Sequence, residues 1–200
     1  MTDATPFAYP SKPHRRKHGP VYRDFADYKD WLRDDFDFRC VYCLRREVWE
    51  RRRAIWVVEH LISRHDRPDL ATEYTNVVLA CTTCNSWKSA SSMPDPCKMG
   101  YGSLVTVRSD GSIIAKKKEG KLLIKIARLD DADSTEWRRK IIHLLCNYSL
   151  HEPEEYKRWM GFPVDLPDLT NRKPRSNSKP QSKDDCRFAQ RQRGELPETY

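Results

Sequence analysis

Apolar positions come in short, well-separated bursts along this chain. Phe25, Tyr28, Leu32 and Phe36 recur at the spacing of one helix face and predict an amphipathic helix over Asp24–Asp37, with Asp24 as its cap. Ile55 to Val58 is β-branched and aromatic and predicts a strand ending at Glu59-His60. Leu61 to Thr75 has no periodicity and contains Pro68, so it reads as a loop, and Val77 to Ala80 reads as a second strand. A turn at Cys81–Cys84 then opens a short helix through Asn85, Trp87 and Lys88, which Pro94 stops. Three strand candidates follow at Ser103–Val107, Ser112–Ala115 and Leu122–Ala127, parted by the turn-forming pairs Asp110-Gly111 and Glu119-Gly120. Trp137, Ile141, Leu144, Leu145 and Tyr148 then mark a helix over Ser134–Tyr148 capped by Ser134, and a shorter helix covers Glu154–Met160.

The ends read differently. Residues 1–22 hold Pro6, Pro10, Pro13, Pro20 and the run His14-Arg15-Arg16-Lys17-His18, and are expected to be a flexible basic arm. Residues 170–200 are rich in Ser, Asn, Lys, Arg, Gln and Pro, and are expected to be a disordered basic tail. Between them, 23–95 forms one unit and 96–169 an accessory meander with helices. No internal repeat is present.

Composition sharpens this picture. Hydrophobic residues make up 38% of the chain and charged residues 33%, so a metal staple would help a lean core. The formal net charge of +8 favours a polyanionic partner, because Lys and Arg on phosphates release counterions. No run approaches the roughly 18 apolar residues of a membrane span. No apolar segment follows the N-terminal basic residues, so a secretory signal is not expected either. A cytoplasmic setting is the expectation, and there cysteines serve as metal ligands or packing residues rather than disulfides.

Cys40-Val41-Tyr42-Cys43 and Cys81-Thr82-Thr83-Cys84 are two C-x-x-C pairs. Each closes a knuckle whose sulfurs point at one ion, and two knuckles make a tetrahedral thiolate cage for zinc. The competing redox reading needs only one pair, at a helix N-terminus in a βαβ setting. A four-sulfur zinc has no open position, so its role is structural, worth on the order of 10 kcal/mol to folding. Cys97 and Cys146 read as packing residues and Cys186 as an incidental thiol.

Between and just beyond the pairs lie Glu59-His60, Asn76, and Asn85 with Lys88. Singly each is weak: an acid beside a His is usually a surface pair, and a loop Asn usually makes turn bonds. In order, the set C-x-x-C, acid-His, Asn, C-x-x-C-N-x-x-K resembles the HNH nucleases with a four-cysteine zinc site, over residues 38–90. The resemblance implies an α+β fold with a ββα-metal (His-Me finger) core and hydrolysis of DNA, less often RNA. By position it implies His60 as general base, Glu59 and Asn85 as holders of a catalytic divalent ion, Asn76 as brace of the loop, and Lys88 as a phosphate contact. The family's usual acid is Asp, and here it is Glu59.

The chemistry agrees. A neutral imidazole can take a proton at physiological pH. Oxygen ligands such as Glu59 and Asn85 suit Mg²⁺ or Mn²⁺, and two of them leave positions for water and substrate. Arg45, Arg46, Arg51, Arg52 and Arg53, with Trp49 among them, are candidates to grip phosphates, their bland role being a solvated face. His65 reads as a solvated loop residue. Double-stranded DNA is the expected partner, and the resemblance allows an ATPase or sensor protein beside it, as in phage defence or DNA processing. A zinc-ribbon-like module that binds nucleic acid without cutting is the alternative. Oligomeric state is not legible.

Overall fold

The computed structural model describes residues 6–50, 55–175 and 183–200. Its centre is an antiparallel hairpin of β1 (Trp56–His60) and β2 (Val77–Cys81), paired from Trp56 opposite Cys81 to His60 opposite Val77. Every residue of β2 is buried, as expected of a strand covered on both faces. Helix α1 (Lys29–Asp35) packs on the hairpin. Asp24 accepts from the Ala26 N–H at 2.9 Å and caps a single 3₁₀ turn that leads into α1. Helix α2 (Thr82–Lys88) leaves β2 directly and packs back on both strands. Its N-cap is Cys81, whose Sγ accepts from the Cys84 N–H at 3.5 Å, so the second cysteine knuckle and the helix start are one device. β1, β2 and α2 form the ββα-metal core of an α+β fold.

Only two of the three expected meander strands exist. β3 (Val105–Val107) pairs with β4 (Ile113–Ala115) across the Asp110-Gly111 turn, where Gly111 takes φ 83°. The third segment is instead helix α3 (Lys118–Ile126). Its inward positions Gly120, Leu123, Ile124 and Ala127 follow the helical period, whereas Leu122 is 45% exposed. Gly120 is therefore no turn residue: a Cβ there would stand 2.1 Å from the Leu104 carbonyl oxygen, so its small size lets α3 approach β3. Helix α4 (Ala132–His151) begins two residues earlier than expected because Asp131, accepting from the Ser134 N–H at 3.0 Å, is its cap. Helix α5 (Pro153–Met160) starts on a proline that needs no N–H partner there.

The described residues of both ends pack against the rest of the chain. Phe7 is inserted edge-on between Trp49 and Trp137, in a second core with Leu44, Ile141, Leu145 and Met160. The Lys17 ammonium and the His18 ring both meet the buried Asp34 carboxylate, at 2.8 and 3.0 Å, and the Lys17 and His18 N–H groups reach Asp35. Residues 183–200 hold helix α6 (Arg187–Gln192), with Cys186 fully buried and Tyr200 stacked on Phe162. The arm docks because α1 offers two buried acids to its basic run, and composition alone could not show that. Cys146, expected to pack, is exposed. Among the described residues no helix is long and apolar enough to cross a membrane.

Candidate active site and metal centre

The first knuckle is a tight hairpin. The Cys40 N–H donates to the Arg45 carbonyl at 2.9 Å, the Leu44 N–H donates to the Cys40 carbonyl at 3.0 Å, and Leu44 takes φ 59° to close the turn. The Val41 N–H bonds the Leu79 carbonyl at 3.0 Å, which lays this knuckle against β2 and the second one. The sulfurs of Cys40, Cys43, Cys81 and Cys84 all lie within 4.8 Å of one another, with Cys43 and Cys81 at 3.8 Å. Thiolates 2.3 Å from a tetrahedral zinc stand about 3.8 Å apart, so the donor set fits that ion. Hydrogen bonds from Cys40, Cys43 and Cys84 already hold the Cys81 thiol far below its usual value, and a zinc ion would stabilise all four as thiolates.

Glu59 and His60 close β1, and successive strand residues face opposite ways. Glu59 turns to α2, where its Oε1 lies 2.7 Å from Lys88 Nζ; both side chains are nearly inaccessible, at 6% and 1%. Burial lifts the Glu59 carboxyl above its ordinary value, and the Lys88 ammonium opposes that lift. Asn85 stands one turn before Lys88 on the same helix and is half-buried. A carboxylate and an amide oxygen are donors a hard cation accepts, so the pair suits Mg²⁺ or Mn²⁺ by chemistry.

The His60 ring lies edge-on to Phe25, with centroids 4.8 Å apart. His60 Nε2 lies 2.9 Å from the Ala71 carbonyl oxygen. A carbonyl only accepts, so Nε2 carries the proton and the neutral ring keeps its lone pair on Nδ1. Burial lowers the pKa of His60, with Arg64 and Lys88 pushing the same way and the Ala71 bond opposing them, so the ring is neutral at pH 7. Asn76 braces the loop that supplies Ala71. Its Oδ1 accepts from the Ile62 N–H at 3.0 Å, and its Nδ2 donates to the carbonyls of Ile62 and Leu70 at 3.1 and 3.3 Å.

These cysteine knuckles, the hairpin and the helix lie within one continuous stretch. Residues 40–91 match the HNH endonuclease family. No curated protein matches the chain. The matched segment holds the four-cysteine cluster together with Glu59, His60, Asn76, Asn85 and Lys88, and its similarity is to nucleases, which act on nucleic acid.

The basic candidates divide. Lys88 is buried against Glu59 rather than presented to solvent. Arg46 is 2% exposed; it donates to the Met160 carbonyl at 3.2 Å and to the Tyr200 carbonyl, which makes it a core tie. Trp49 packs too, its indole N–H on the Trp159 carbonyl at 2.8 Å. Arg45 lies over the Trp137 ring and pairs with Glu50 at 3.3 Å. Arg51, Arg52 and Arg53 fall outside the described residues. The cation nearest the His60–Phe25 contact is one that sequence reasoning passed over: exposed Arg64 lies over the Phe25 ring at 4.7 Å, and that ring touches His60. Its position four residues past the His was the only available signal. His65 is 90% exposed, and its ring faces Asp66.

Proposed function

We propose that the chain is a metal-dependent endonuclease that hydrolyses DNA phosphodiester bonds, with His60 as general base. The observation that carries this reading is the His60–Ala71 hydrogen bond, which leaves Nδ1 as acceptor on a ring that burial keeps neutral. Nδ1 takes a proton from water as the water oxygen bonds phosphorus and the opposite P–O bond breaks. Asn76 positions His60 through the loop it braces. Arg64 is set to hold a phosphate oxygen near the ring. Glu59 and Asn85 are the residues that would hold a divalent ion, which when bound offsets charge on the phosphate and on the departing oxygen. Double-stranded DNA is the favoured substrate, supported by the net charge of +8.

One observation favours a different class. The buried Glu59–Lys88 pair could be purely structural, which would suit a zinc-ribbon-like module that binds without cutting. Purified protein incubated with DNA and RNA, single- and double-stranded, with Mg²⁺ or Mn²⁺, decides between them. Cleavage lost in His60→Ala with zinc content unchanged is the expected result. Equal cleavage by the variant would remove His60 from the mechanism, and binding without cleavage in every metal would favour the module.

A further inference from the structure

Glu59 carries its own counter-charge. Its carboxylate is sealed in the interior, and the Lys88 ammonium, more deeply buried still, sits 2.7 Å from Oε1. Helix α2 ends at Lys88, because Ser89 turns away at φ 47°, so this lysine is the last helical residue and lies one turn beyond Asn85. A buried carboxylate is stable when one cation compensates it. A second cation placed on the same oxygens would lie within a few ångströms of the ammonium, in surroundings that screen little.

We propose that Lys88 is the resident counter-ion of Glu59 and that a divalent cation binds there only by displacing it, so that metal loading releases the ammonium toward solvent and substrate phosphate. This rests on the reading of Glu59 and Asn85 as the holders of the divalent ion. It reconciles a lysine at a position suited to phosphate contact with a side chain that is 1% exposed. The long, flexible stem of lysine makes the change feasible without moving the helix, which a rigid arginine fork would not. The same exchange ties the activity of the site to cation supply: while Lys88 pairs with Glu59, neither the ion nor the phosphate contact is in place.

The test uses the full zinc-loaded chain and Mn²⁺ as the probe. Free Mn²⁺ is followed by electron paramagnetic resonance during titration of wild type, Lys88→Met and Glu59→Gln. Removing the competing charge in Lys88→Met should tighten Mn²⁺ binding by about tenfold or more. Unchanged or weaker binding overturns the proposal. Loss of Mn²⁺ binding in Glu59→Gln is expected; wild-type affinity there would sink the metal-site reading itself, a separate failure. Should Lys88→Met not fold, wild type still decides. Lys88 should resist acetylation by acetic anhydride in the absence of Mn²⁺ and become modified at least about fivefold faster when Mn²⁺ saturates the protein, read by peptide mass spectrometry. Equal protection with Mn²⁺ bound overturns the exchange.

Discussion

The Nε2 of His60 and the carbonyl oxygen of Ala71, 2.9 Å apart, fix which ring nitrogen is free to accept a proton. The pH profile of cleavage follows from that contact and from burial. His60 has its pKa lowered from 6.5, so the basic form persists below that pH. The acid limb of kcat/KM is expected to have its midpoint below pH 6.5, measured on a short DNA duplex at fixed metal. A midpoint above that value would contradict the role of burial. Stability should move in the same direction. A depressed folded-state pKa contributes fully above the unfolded value of about 6.5 and is lost as the pH falls through the folded one.

Asn76 tests whether the loop brace matters to chemistry. Its side chain makes three hydrogen bonds from a buried position, so Asn76→Ala should cost about 1–3 kcal/mol in urea unfolding. Because the loop carries Ala71, kcat should fall about tenfold or more with KM little changed. Loss of stability alone, with kcat intact, would make Asn76 merely structural.

Arg64 and Arg46 make a matched pair of opposites. Arg64 is exposed beside His60, so Arg64→Ala should raise KM and reduce the salt slope of DNA binding by about one. Arg46 is buried on two carbonyls, so Arg46→Ala should lower the melting temperature and leave that slope unchanged. Binding titrations across salt concentrations would expose a reversal.

The cysteine cage should resist mild chelation and be essential to the fold. One zinc per chain is expected by elemental analysis. Cys81→Ser should remove it and broaden the amide spectrum of the hairpin, since Cys81 is both one of the four clustered sulfurs and the cap of α2. A zinc-free variant with an unchanged spectrum would show the cage to be dispensable.

The hairpin, the knuckles and the helix that leaves the second knuckle were legible because each follows from local spacing: β-branched runs, C-x-x-C turns, a single helical period. The α3 segment was not, because Glu119-Gly120 carries a turn signature while Gly120 serves a close approach to the Leu104 carbonyl. That contact is a tertiary fact. The buried roles of Lys88 and Arg46 were hidden for the same reason, since a charged side chain reads as solvated until its distant partner is known. Both ends looked too polar to order, and the acids that receive the basic arm belong to α1.

Asp34 joins three parts of the chain that are remote in sequence. One oxygen takes Lys17 and His18, and the other takes the Arg187 N–H at 2.7 Å. If the N-terminal arm peels away, a fully enclosed carboxylate loses two of these three partners, and if the C-terminal segment does, it loses the third. The two ends should therefore open as one cooperative unit with α1. In hydrogen exchange, the amides of His18, Arg187 and helix α1 would then share a common opening free energy instead of fraying independently.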